Sequence, residues 1–161
     1  MQNITRRDLL AAVSALSVLG AAGVESTFSQ AASAKDERRG DSMLSKSQTF
    51  DLDSLPVTNN GNGRVMRRVI SGTLPTGEFI EVHETTLPAG QMPHPLHRHR
   101  NSELLFIREG QLEYLNDGKP ERVGPGGVVF TASNVMHGLK NIGTTPANYF
   151  VIAISRADKE I

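Results

Sequence analysis

His97-Arg98-His99-Arg100-Asn101-Ser102-Glu103, with Gly110 beyond it, is the stretch on which the reading of this 161-residue chain turns. A second block, His137-Gly138-Leu139-Lys140-Asn141, begins 34 residues after Glu103. Residues two apart on a strand point to one face, so His97 and His99 can address a single ion. A sharp return through Arg100-Asn101-Ser102 then brings Glu103 to the head of the next strand. His137 must come from a distant strand, and closure of a barrel is what sets it beside the first three. Three imidazoles and one carboxylate fill most of a divalent metal's shell and leave positions open for a substrate. Such donors suit manganese, iron, nickel, cobalt or zinc. The chain has no cysteine, which excludes disulfides and thiolate sites.

Around these blocks the sequence is broken into short strands. Val65 to Ile70 is followed by Gly72, and Phe79 to Leu87 by Pro88-Ala89-Gly90. Glu103 to Arg108 ends at Glu109-Gly110, and Gln111 to Leu115 ends at Asn116-Asp117-Gly118, a hairpin signal. Then come Glu121 to Val123, the turn Pro125-Gly126-Gly127, the run Val128 to Phe130, a strand at His137 to Asn141, and Asn148 to Ser155. Within Glu103 to Arg108, Leu105 and Ile107 share the face of Glu103, while Leu104 and Phe106 lie opposite. Nothing after residue 40 has a helical period, and 15 glycines and 8 prolines favour strands joined by turns. The fold expected is all-β, a single-domain sandwich or barrel over residues 64–156.

The N-terminus reads as an address. Thr5-Arg6-Arg7-Asp8-Leu9-Leu10 precedes a 16-residue uncharged stretch, Leu9 to Val24, and the small-residue site Ala32-Ser33-Ala34 follows. A basic start, an apolar run too short for a bilayer span and a cleavage site predict a signal peptide over 1–34. The paired arginines resemble the twin-arginine export signal, which implies a periplasmic or secreted protein exported already folded, with no stable membrane association after cleavage. An uncleaved membrane tether is the alternative. Residues 35–63 read as a flexible leader and an extended segment that docks on the domain edge, closing with the loop Asn59-Asn60-Gly61-Asn62-Gly63. The formal net charge is zero, and the one basic cluster, Lys35-Asp36-Glu37-Arg38-Arg39, carries its own acids, so nothing points to nucleic acid or an anionic membrane surface.

The two blocks resemble the motifs of the cupin family. Its first motif is Gly, His-x-His, three or four residues, Glu, six residues and Gly, matched by His97, His99, Glu103 and Gly110. Its second is Gly, Pro-x-Gly and His-x-x-x-Asn, matched by Gly124, His137 and Asn141. The sequence departs in having six residues between Gly90 and His97, and Ala132-Ser133-Asn134 in place of Pro-x-Gly. The resemblance covers about residues 64–155 and implies a jelly-roll barrel, a metal at His97, His99, Glu103 and His137, and a small-molecule substrate. It further implies an iron- or manganese-dependent dioxygenase in which Glu103 can also act as catalytic base, and a homodimer formed through exposed sheet edges. Zinc or nickel would instead imply a redox-inactive lyase or isomerase, and a closed aliphatic interior a non-catalytic binder.

Other candidates carry less. His94, in Met92-Pro93-His94-Pro95, reads as a loop histidine that could also line a pocket, shuttle protons or replace one ligand. His83 alternates with Glu81 and is expected on a polar sheet face. Arg98 and Arg100 should point away from the ligands. Asn141 suits either a hydrogen bond to a ligand histidine or a structural turn. Leu105, Ile107 and Leu139 suit a pocket wall or plain core.

Overall fold

The computed structural model describes residues 44–156, so the proposed signal peptide and the first part of the leader lie outside the described residues. Nine strands follow one another: β1 (Val57–Asn59), β2 (Val65–Thr73), β3 (Glu78–Leu87), β4 (Ser102–Glu109), β5 (Leu112–Asn116), β6 (Lys119–Val123), β7 (Val128–Thr131), β8 (His137–Asn141) and β9 (Ala147–Arg156). The described residues contain no α-helix and only a short 3₁₀ turn, Leu52–Ser54. The fold is all-β, as the turn-punctuated sequence implies.

The strands form a six-stranded sheet in the order β1-β2-β3-β9-β4-β7 and a three-stranded sheet in the order β6-β5-β8. Every named pairing is antiparallel. Non-sequential neighbours such as β9 between β3 and β4 mark a jelly roll rather than a simple meander. The core lies where the sheets meet: Leu87, Leu105, Ile107, Val129, Tyr149 and Val151 from the larger pack against Leu112, Tyr114 and Leu139 from the smaller. Tyr114 and Thr131 also join the layers directly, their hydroxyl oxygens 2.9 Å apart.

Turn chemistry sets these registers. Asp117 and Gly118 both have positive φ, 48° and 80°, the two left-handed residues of a tight β5–β6 hairpin in which Asn116 faces Lys119. Pro120 lies on β6, an edge strand, where the N–H it lacks is least missed. At Gly110 (φ 87°) a Cβ would fall 2.5 Å from Ala147 Cβ, so only glycine lets the β4–β5 turn lie against the start of β9.

Gly72 corrects the sequence reading. It does not end β2 but sits inside it, paired with Ile80, and a bulge between Arg68 and Ile70 absorbs the irregularity instead. The turn comes later, at Leu74 to Gly77, where Gly77 has φ 98°.

Candidate metal centre

His97 and His99 lie in the connection between β3 and β4, and hydrogen bonds to β8 hold that connection in place. His97 N donates to His137 O at 3.0 Å, and His137 N donates to His97 O at 2.8 Å. One turn further on, Asn134 N donates to His99 O at 2.8 Å. His97 thus sits in an isolated antiparallel bridge with His137 rather than on a regular strand. The bridge places residues from two distant parts of the chain side by side. Glu103 enters from the opposite layer, as the second residue of β4.

These elements gather the three imidazoles. Donor atoms of His97, His99 and His137 all lie within 4.8 Å of one another. The ring centroids are 4.5 Å apart for His97–His137, 4.8 Å for His99–His137 and 5.1 Å for His97–His99. Glu103 approaches with Oε1 3.2 Å from His99 Nε2 and Oε2 3.8 Å from His137 Nε2. Donors each about 2.1 Å from one ion lie roughly 3 to 3.5 Å apart, so the carboxylate keeps a compatible spacing.

Two ring orientations are locked from behind. His99 Nδ1 lies 3.0 Å from Asn101 O, and His137 Nδ1 lies 2.9 Å from Val135 O. As donors to those carbonyls, the Nδ1 atoms leave both Nε2 lone pairs turned to the site, the arrangement that orients metal-binding histidines. His97 Nδ1 and His137 Nε2 are buried without a hydrogen-bond partner. Buried polar nitrogens are costly unless satisfied, and a cation at the site would satisfy His137 Nε2, which faces Glu103. The donor set fits a divalent ion.

Electrostatics separate the histidines. Burial pulls His97 down to about 4, helped by the neighbouring His94, His137 and His99. His99 moves up because its ring hydrogen-bonds to Glu103. Burial pushes the Glu103 carboxyl up, but the hydrogen bond and charge of His99 outweigh it, so the net shift is down. In metal-free protein, NMR titration should therefore find His99 deprotonating last of this pair and His97 neutral until about pH 4. The sign for stability differs between them. The His99 contribution is full below its unfolded value near 6.5 and is lost as pH rises through the raised folded value. That of His97 is present above 6.5 and is lost as pH falls toward about 4.

The centre opens into a cavity of about 60 Å³, lined on the polar side by Arg64, His83, Thr85, His94, Tyr114, Thr131 and Tyr149. Leu105, Leu139, Val151 and Pro93 form the apolar side. Ile107, expected with them, is buried core and does not line it. His94 is an exposed loop residue that nonetheless lines the cavity, its ring centroid 4.0 Å from that of His97.

His83 corrects the sequence reading: it faces the cavity, not an outer polar face. Alternation along β3 was misleading because the outer face of the large sheet is apolar too, with Phe106, Val128, Phe130 and Ile154 all exposed. Asn141 resolves to the structural role. Its Nδ2 donates to Leu87 O and Thr145 O at 3.0 and 2.8 Å, and its Oδ1 accepts from Gly143 N at 3.0 Å. Arg98 and Arg100 are exposed. Arg64, Tyr114, Thr131 and Tyr149 escaped the sequence reading, since only the meeting of two sheets brings them together.

Two facing antiparallel sheets with three imidazoles at one end define the class: a jelly-roll cupin fold carrying a candidate metal centre. Residues 83–153 match the cupin domain family, Cupin_2, and the imidazoles, Glu103 and most of the cavity wall fall within that span. Among curated proteins, 84 residues are 35% identical to the dimethylsulfoniopropionate lyase DddQ of Ruegeria pomeroyi. That stretch is 52% of this chain and 40% of DddQ, so the chain matches well under half of its relative's length.

Solved structures agree on the fold. An RmlC-like cupin from Shewanella frigidimarina superposes with a TM-score of 0.58 at 18% identity, over 70% of this chain and 95% of its own. KdgF from Halomonas sp. gives 0.58 at 16% identity, over 70% and 98%. A predicted oxalate decarboxylase from Thermotoga maritima gives 0.55 at 20% identity, over 66% and 98%. Identities this low speak for the fold alone.

Proposed function

We propose that this protein is a metal-dependent enzyme acting on a small organic molecule, with His97, His99 and His137 holding a divalent ion and Glu103 as fourth ligand or base. The observation that carries this reading is the convergence of three imidazoles, two of them locked through Nδ1, with the buried Nε2 of His137 left without a hydrogen-bond partner. A bound divalent ion would supply Lewis acidity, polarising a carbonyl or carboxylate oxygen of the substrate.

The chemistry we favour is non-oxidative proton transfer of the lyase or isomerase kind. Burial lowers the proton affinity of His83, so it is neutral near pH 7 and competent as a base. Tyr114, raised by burial and hydrogen-bonded to Thr131, stays protonated as a donor. The similarity to DddQ, a lyase by name, points the same way. The runner-up is the iron- or manganese-dependent dioxygenase implied by the motifs. The apolar arc of Leu105, Leu139 and Val151 favours it as a place for dioxygen.

The test is metal analysis of purified protein, then parallel recording of oxygen uptake and of carbon–carbon double-bond absorbance with small hydroxy, keto and onium acids. Bound metal with double-bond formation and no oxygen uptake is expected. Oxygen uptake would transfer the reading to the dioxygenase, and bound metal without turnover would leave a non-catalytic binder.

We propose in addition that the chain is exported to the periplasm or beyond, on the strength of Thr5-Arg6-Arg7-Asp8-Leu9-Leu10 and the apolar run after it. A homodimer is proposed through the edge of the larger sheet, where β7 leaves Val128 and Phe130 53% and 63% exposed.

A further inference from the structure

Arg64 is the cation of the cavity wall, and Glu103 is its carboxylate. With an ion at the imidazoles, Glu103 is engaged by that ion, and the cavity is left with a net positive charge. Among the described residues Arg64 makes no ion pair, whereas its neighbours Arg67 and Arg68 are matched to Glu84 and Glu81. An arginine beside a cation and without a carboxylate partner is electrostatically incomplete.

The residue is nevertheless held in place by its loop. Asn60 N donates to Arg64 O at 3.0 Å, and Arg64 N donates to Asn62 Oδ1 at 3.1 Å. The Asn60 amide, turned with its oxygen toward the guanidinium, accepts from Nε at 2.9 Å and also from Nη2. Asn62 Nδ2 in turn donates to Met92 O at 3.0 Å, tying this loop to the connection that carries His94, His97 and His99. A guanidinium fixed by neutral partners keeps its full charge and spare N–H donors.

We propose that Arg64 receives a carboxylate of the substrate, so that the substrate class is a small organic acid held between this guanidinium and the ion. The planar fork of arginine matches a carboxylate in two parallel hydrogen bonds. The cavity has room for only about four waters, which limits the acid to a few carbons unless it extends into solvent. The role presupposes the metal proposed above, and the experiment separates the two.

Zinc-loaded full-length protein is titrated calorimetrically with acetate, malonate and succinate and with the matching amides, acetamide, malonamide and succinamide. Zinc content is measured on each sample. At least one acid should bind wild type well while its amide binds far more weakly. Arg64→Gln should bind that acid about 10- to 100-fold more weakly at unchanged zinc content, with Arg64→Lys in between. Acid binding that is equal in wild type and Arg64→Gln at full zinc content overturns the role of Arg64 and leaves the metal centre standing. Amides binding as tightly as acids, or no acid binding at all, overturns it on wild type alone, whether or not the variants fold. Absence of zinc from wild type overturns both readings.

Discussion

His137→Ala should purify without its divalent metal and show no thermal shift when manganese, iron or zinc is added. The ring is 5% exposed, and its Nε2 lacks any hydrogen-bond partner. His99 and Glu103 already contribute to the same centre, so neither is left to take its place as donor. Losing a hydrogen-bond partner of a ligand costs about 10- to 100-fold in metal affinity, and losing the ligand itself costs more. Wild type at 100-fold metal excess over Kd should gain about 2.7 kcal/mol, a gain absent from the variant. His97→Ala should behave alike. His94→Ala is the control: its ring touches His97 but lies outside the group of three, so metal should be retained. Full metal content in His137→Ala, by mass spectrometry after dialysis, would refute the ligand assignment.

The second large effect concerns stability. Asn141 is fully buried and holds three backbone groups, the carbonyls of Leu87 and Thr145 and the N–H of Gly143. Asn141→Ala removes the partner of all three. A buried polar group left unpaired costs about 1–3 kcal/mol, which applies to Leu87 O; Thr145 O and Gly143 N are only part-buried and can turn to water, so a loss of about 1–3 kcal/mol is expected. A small domain is stable by only about 5–15 kcal/mol, so this variant should lose a sizeable part of its stability. Urea unfolding should show a lower midpoint at an unchanged slope. Metal affinity should fall with it, because His137 opens the five-residue strand that Asn141 closes. A midpoint equal to wild type would refute the anchoring role.

Local rules made much of the fold legible. Asn116-Asp117-Gly118 signals a hairpin, and the structure turns there on Asp117 and Gly118, both at positive φ. The alternation Glu103, Leu105, Ile107 against Leu104 and Phe106 divides β4 as expected, with Leu105 and Ile107 buried and Phe106 41% exposed. The histidines were visible because their spacing is short and chemically unusual. What stayed hidden depends on contacts between sheets. No local pattern says which face of β3 turns inward when both faces carry apolar side chains, and so His83 was misplaced. Tyr114 and Thr131 meet 17 positions apart across two layers. Arg64 marked only the start of the strand region, and the hydrogen bonds of Asn60 and Asn62 show how its loop holds it.

The seam between the layers passes through the imidazole cluster. His137 belongs to the small sheet, His97 is bridged to it, and Glu103 belongs to the large one. An ion gripped by all of them would act as a rivet as well as a reagent. Chelation would then unfasten the mouth of the jelly roll while β3 and β9, zipped along ten residues each, keep their slow amide exchange.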